Sequence, residues 1–213
     1  MKKYLSEAIG TFALVFCGTG AIIINEVSGG TVTHLGVAMT FGLIILGMIY
    51  ALGDLSGAHF NPAVTIGFTV AGSFPVKNVV PYILSQSVGA LLASCLLKYL
   101  FPQNMHLGAT LPSGTDLQSF WLEIVLTYFL MFVIIRVATG SKETGIMAGI
   151  AIGSIVGLEA AFAGPICGAS MNPARSLAPA IVSGDLHSIW VYVTAPFIGS
   201  VLAVLTNKYL KSN

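Results

Sequence analysis

The sequence predicts an all-α membrane protein with six transmembrane helices plus two re-entrant half-helices, arranged as an inverted 3+3 repeat. Three observations predict it. First, 55% of the 213 residues are hydrophobic and only 8% are charged, whereas a soluble domain carries about 25% charged residues. A chain this poor in charge takes lipid as its solvent. Backbone in lipid must pair internally, which leaves helix bundles and closed barrels, and continuous rather than alternating apolar runs favour helices. Second, six runs reach the ~20 residues that a spanning helix needs. Third, one stretch occurs twice, 111 positions apart: Ser56-Gly57-Ala58-His59-Phe60-Asn61-Pro62-Ala63-Val64-Thr65 and Cys167-Gly168-Ala169-Ser170-Met171-Asn172-Pro173-Ala174-Arg175-Ser176.

The spans fall at roughly 4–25, 35–54, 79–101, 119–138, 145–163 and 187–209. Lys2-Lys3 before an apolar run imitates a signal peptide, but the run contains Glu7 and continues to about Asn25, which favours a retained first span. Each repeated stretch reads as a loop running into a short helix. Asn is a strong N-cap, and Pro suits the first helical position, where its missing N–H would be unpaired anyway. Half-helices are therefore expected at about 61–71 and 172–183. A linking loop at 102–118, with Pro102, Gly108, Pro112 and Gly114, joins repeat 1 (about 1–101) to repeat 2 (about 119–213) within one transmembrane channel domain.

The halves match beyond these boxes. Gly42 pairs with Gly153, Gly53 with Gly164, and Gly57 with Gly168; Glu7 in the first span is echoed by Glu123 in the fourth, and Gly89 by Gly199. Three spans per half is odd, so the second half inserts upside down, and the two Asn-capped starts meet in mid-membrane. The four-residue spacing of Gly145, Gly149, Gly153 and Gly157 allows close approach of helix backbones. Charge sets the orientation. With the N-terminus inside, Lys2, Lys3, Lys77, Arg136, Lys142, Lys208 and Lys211 are cytoplasmic, and only Lys98 and Arg175 fall elsewhere. A multi-pass protein of the cell membrane with both termini cytoplasmic is expected.

A net charge of +1 without a basic cluster excludes nucleic acid as a partner. Four scattered histidines (His34, His59, His106 and His187) and three separated cysteines (Cys17, Cys95 and Cys167) give no metal site and imply no cofactor. Cys17 and Cys95 read as small packing residues, Cys167 as either buried or reachable from the pore, and His34, His106 and His187 as solvated loop residues. An enzyme would need a catalytic constellation, and no His-Glu-x-x-His, paired Asp or Gly-x-Ser-x-Gly is present. Two readings remain. One is a passive channel for water and small uncharged solutes. The other is an ion-coupled secondary transporter, since inverted repeats with broken helices suit both. Two helix N-termini aimed at one point make that point electropositive, which disfavours a cation site there.

The two Asn-Pro-Ala boxes, the Glu7 and Glu123 positions and Arg175 after the second box resemble the aquaporin (major intrinsic protein) family across essentially the whole chain. Gly168-Ala169-Ser170-Met171-Asn172-Pro173-Ala174-Arg175-Ser176-Leu177 is most similar to the nodulin-26-like branch and its prokaryotic relatives. The resemblance implies a pore centre at Asn61, Pro62, Ala63, Asn172, Pro173 and Ala174. It implies a selectivity filter of Phe41, Ala160, Ala169 and Arg175, and a homotetramer with one pore per subunit. Glu7 and Glu123 are expected to accept hydrogen bonds from the re-entrant loops, where Gly57, Ala58 and Gly168 lie, and His59 to line the pore. Water-selective members carry His at the place of Ala160, so two alanines imply a wider filter that admits glycerol, urea or metalloid acids. Ser176, Ala180 and Tyr192 point instead to the water-channel pattern, and Val193 departs from it. For Arg175 a salt bridge to Glu159 is the alternative to a free filter role, and the two are compatible. Glu159 itself has three open readings: the pore mouth, a partner of Arg175, or the subunit seam.

Overall fold

The computed structural model describes residues 1–141 and 145–211; Lys142, used above for orientation, lies outside the described residues. Among the described residues the α-helices are, in order, α1 (Lys2–Val27), α2 (Thr33–Ser56), α3 (Pro62–Ala71), α4 (Val79–Leu100), α5 (Asp116–Ala138), α6 (Ala148–Cys167), α7 (Pro173–Ser183) and α8 (Ile189–Lys211). A 3-10 turn, Val76–Asn78, precedes α4. Six of the helices are long and apolar enough to cross a membrane, and α3 and α7 are about half as long. The outward faces are apolar, as at Leu43, Leu92 and Phe162, each more than half exposed. That is the surface a bilayer solvates.

The boundaries differ from the sequence reading mainly in α6. Gly164-Pro165 suggests a stop near 163, yet the helix continues to Cys167 with Pro165 inside it. Proline removes the bond to the carbonyl four residues back. That carbonyl, on Ala161, is bonded instead to His34 Nε2 at 2.7 Å. The helix then ends at Gly168, whose φ of 78° is the left-handed C-cap that glycine adopts without strain.

Two matching sets of contacts build the bundle. α1 packs on α2 and α4, and α5 packs on α6 and α8; the half-helices cross over, α3 against α8 and α7 against α4. Glycine sets the closest approaches. A Cβ on Gly42 or on Gly153 would come within 2.6 Å of the other residue's carbonyl oxygen, where α2 crosses α6. A Cβ on Gly89 would strike the carbonyl oxygen of Ala8, and one on Gly199 that of Ile124. The start of α1 and the end of α8 lie at one end of the bundle. There Tyr4 bonds Asn78, Lys208 caps the carbonyl of Val70 at the end of α3, and Lys211 bonds Thr139. The α4–α5 connector, residues 101–115, lies at the opposite end, where Asn104 bonds Glu26 and Ser113 bonds the carbonyl of Ile166.

Gly89→Ala should lower the thermal unfolding midpoint of detergent-solubilised protein, because the Ala8 backbone has to move, at about 1–3 kcal/mol. Gly47→Ala, where nothing lies within 4 Å, should leave the midpoint unchanged or raise it.

Candidate functional site: two re-entrant loops and a neck between two cavities

Asn61 and Asn172 have extended backbones and cap α3 and α7. Asn61 Oδ1 accepts from Ala63 N at 2.8 Å, and Asn172 Oδ1 from Ala174 N at 3.0 Å and Arg175 N at 3.3 Å. Each amide also reaches across to the other loop. Asn61 Nδ2 donates to the carbonyl of Met171 at 2.8 Å, and Asn172 Nδ2 to that of Phe60 at 2.9 Å. This reciprocal clasp joins the two half-helix starts. It uses one of the two protons on each amide, and both side chains line the larger cavity with the other still available.

The loops leading into these caps share one unusual backbone. Gly57, Ala58 and Phe60 have positive φ, and so do Gly168, Ala169 and Met171. Left-handed conformations cost a non-glycine residue roughly 1–2 kcal/mol each, so something must hold them. Glu7 Oε1 accepts from His59 N at 3.0 Å, and Glu7 Oε2 from Phe60 N and Gln86 Nε2, both at 2.8 Å. Glu123 repeats the arrangement on Ser170 N and Met171 N, both at 2.7 Å. Both carboxylates are fully buried. Aromatic packing supports the first loop as well. The Phe60 ring lies against Gly10, and His59 sits between Phe68, Phe74 and Tyr82 with Nδ1 at 3.1 Å from Thr65 Oγ1.

Two cavities enter the bundle. One, of about 780 Å³, opens at the end carrying the chain termini, where Asp54 stands exposed at its mouth. It runs past Gly53 and Gly57 to His59, Asn61 and Asn172. The other, of about 420 Å³, opens at the connector end and is lined by Asn25, Glu26, His34 and Leu111 among others. Four residues line both cavities: Phe41, Ala160, Ala169 and Arg175. They form the neck where the cavities meet. The Phe41 ring lies against Gly18, where any Cβ would collide with it. The Arg175 guanidinium lies over the Phe41 ring at 5.1 Å and donates from Nη1 to the carbonyl of Gly108 at 2.8 Å. Gly108 has a φ of 67° and is pressed on Thr19, so the connector is the anchor of this arginine.

Several polar residues fall into place that the sequence alone does not single out. Gln86 ties Glu7 to Thr65, and Tyr82 donates to the carbonyl of Ser56. Thr110 bonds Ser176, which in turn bonds Ser170, linking the connector to the second loop. Other expectations change. Glu159 is buried beside Ala160, and neither of its oxygens has a hydrogen-bond partner among the described residues, so it is not the partner of Arg175. Cys95 is exposed on the outward face rather than packed, and Cys167 is buried. His34 stands in the first turn of α2 rather than in a loop. His106 lies 3.9 Å from Asp185, and His187 contacts Ser188.

Six spans around two opposed half-helices, with cavities from both ends meeting at a neck, define a membrane channel. The chain matches the major intrinsic protein family over residues 1–207, and it belongs to that family, the aquaporins. It is 46% identical to Aquaporin NIP1-1 of Zea mays, over 99% of this chain and 78% of that protein. It is 45% identical to Nodulin-26 of Glycine max, over 94% and 74%. Among solved structures it is similar to the aquaglyceroporin from Plasmodium falciparum, with a TM-score of 0.84, 26% identity, and coverage of 96% and 93% of the two chains.

Glu123→Ala should orphan the buried N–H groups of Ser170 and Met171, at roughly 1–3 kcal/mol for each. Glu123→Gln keeps one acceptor oxygen and should lose less. Thermal unfolding of the two variants in detergent checks the order.

Proposed function

We propose that the chain is a passive channel for water and small uncharged solutes, with Phe41, Ala160, Ala169 and Arg175 as its selectivity filter. The observation that carries this reading is that these four residues are the ones shared by the two cavities. Any permeant must pass them. Their chemistry is mixed: an aromatic face and two methyl groups beside a donor-only guanidinium. A neutral solute with oxygen acceptors and a compact carbon or metalloid centre suits such a neck. Glycerol, urea and metalloid acids are the candidate classes besides water.

Cations meet two barriers. Arg175 is 2% exposed, and its positive charge stands in the neck with little water to screen it. Beyond it the N-termini of α3 and α7 meet, each carrying roughly half a positive charge. A water at that point accepts from the remaining amide protons of Asn61 and Asn172, which turns its own hydrogens away and interrupts proton hopping. We place both termini in the cytoplasm of a cell-membrane protein, on the lysine and arginine distribution. The end that carries the connector is then outside. A homotetramer with one pore in each subunit fits the apolar outer faces and the family.

Stopped-flow light scattering on proteoliposomes tests the reading. Shrinkage in a sucrose gradient should be faster than in empty vesicles, and re-swelling in glycerol or urea should follow if the two alanines widen the neck. No acceleration with any gradient would sink it. Ala160→His should cut glycerol flux more than water flux, and an equal fall in both would remove Ala160 from the filter. Arg175→Ala should raise leakage of protons or cations, read with a pH-sensitive dye; an unchanged leak would remove the arginine from the barrier.

A further inference from the structure

His34 is outside the two boxes and the four-residue neck, yet it touches the helix turn that carries Ala160. Pro165 lies inside α6 and has no N–H to give the carbonyl of Ala161. The contact lies at the exposed rim of the connector-end cavity, where a side chain can give that carbonyl the hydrogen bond the helix does not. His34 Nε2 stands 2.7 Å from that oxygen. The carbonyl can only accept, so Nε2 carries a proton.

The surroundings fit this contact. A Cβ on Gly164 would come within 3.0 Å of His34 Cε1, so glycine there gives the ring its seat. The ring is delivered by a fixed turn: Thr33 has a φ of 62°, Asn25 Oδ1 accepts from Thr33 N at 2.8 Å, and Thr33 Oγ1 accepts from Gly36 N at 3.2 Å. Pro179 and Pro196 also interrupt helices, but no side chain is bonded to the carbonyls of Arg175 or Tyr192 four residues before them, among the described residues. Of these three prolines, Pro165 alone has its carbonyl bonded by a side chain among the described residues.

We propose that His34 is a positioning residue of the neck: its imidazole stands in for the N–H that Pro165 lacks, and so holds the Ala160–Ala161 turn of α6 at the width that sets solute selectivity. The inference rests on the reading of the neck as a filter, and its test separates the two. Four proteins are compared in proteoliposomes with the wild type: His34→Ala, His34→Gln, Pro165→Ala and the double variant His34→Ala/Pro165→Ala. His34→Ala should change the ratio of glycerol to water permeability by about fivefold, the factor one net hydrogen bond is worth. His34→Gln, which retains an N–H donor, should keep most of the wild-type ratio. Pro165→Ala restores the backbone donor, so the double variant should return towards wild type. An unchanged ratio in His34→Ala, or a double variant no better than His34→Ala, overturns the proposal.

Two readouts do not depend on solute flux. Thermal unfolding should show the same rescue of His34→Ala by Pro165→Ala, which also decides the matter if His34→Ala folds poorly. Nitrogen-15 NMR of labelled wild-type protein should find His34 protonated at Nε2; a bare Nε2 overturns the proposal. If the wild type passes water but no glycerol or urea, the reading of a widened neck fails, while these two readouts still test the contact.

Discussion

Two loops of irregular backbone carry buried N–H groups, and the hydrogen bonds these donate to Glu7 and Glu123 are what make the turns possible. Each carboxylate takes two consecutive loop N–H groups, at 2.7–3.0 Å. Burying a carboxylate is itself expensive unless its oxygens are used, and here the N–H groups are the use. The requirement fixes much else. The acids must stand near the centre of the bundle, so α1 and α5 become the central helix of each half, packed on two neighbours apiece. With the loops held in their left-handed turns, the Asn caps come close enough for each to bond the carbonyl of the opposite loop.

The two halves then differ at a few positions, and those differences give the pore its asymmetry. At the repeat spacing of 111, Arg175 corresponds to Val64, Phe41 to Ile152 and Ala160 to Ile49. Only the second half therefore offers a guanidinium, and only at its own end of the pore. The supporting bonds differ to match. In the first half His59 and Gln86 bond Thr65; in the second, Ser170 and Thr110 bond Ser176. Thr110 belongs to the connector, as does Gly108, whose carbonyl holds Arg175. A connector that joins the halves is thus also a wall of the site.

Much of this is legible in the residues, because the signals are local. Apolar run length locates the spans, and Asn-Pro locates both half-helix starts within a residue. A shared local pattern, Glu7 four before Thr11 and Glu123 four before Thr127, pairs the two acids. What escapes depends on distance in the chain. Gly164-Pro165 looks like the end of α6, because the group that sustains the helix is on a histidine 127 positions before the carbonyl it bonds. The partner of Arg175 is a backbone carbonyl, which no side-chain pattern reveals, so Glu159 looks like the better candidate. Gln86 does leave a trace: it is a lone amide within an apolar span, and buried amides need partners.

The same bonds bear on how the protein moves its permeants. A coupled transporter exposes its site to one side at a time, through rocking of one repeat against the other. Here the two repeats are joined at their midpoint by the reciprocal Asn61 and Asn172 bonds, and again by Ser200 Oγ on the carbonyl of Ala63 at 2.8 Å. Rocking would break these bonds together. Two cavities already reach the neck from opposite ends, so passage needs no such motion. On the proposed reading such a pore selects by what fits and pairs at the neck, and its power to discriminate then depends on how firmly that neck is held.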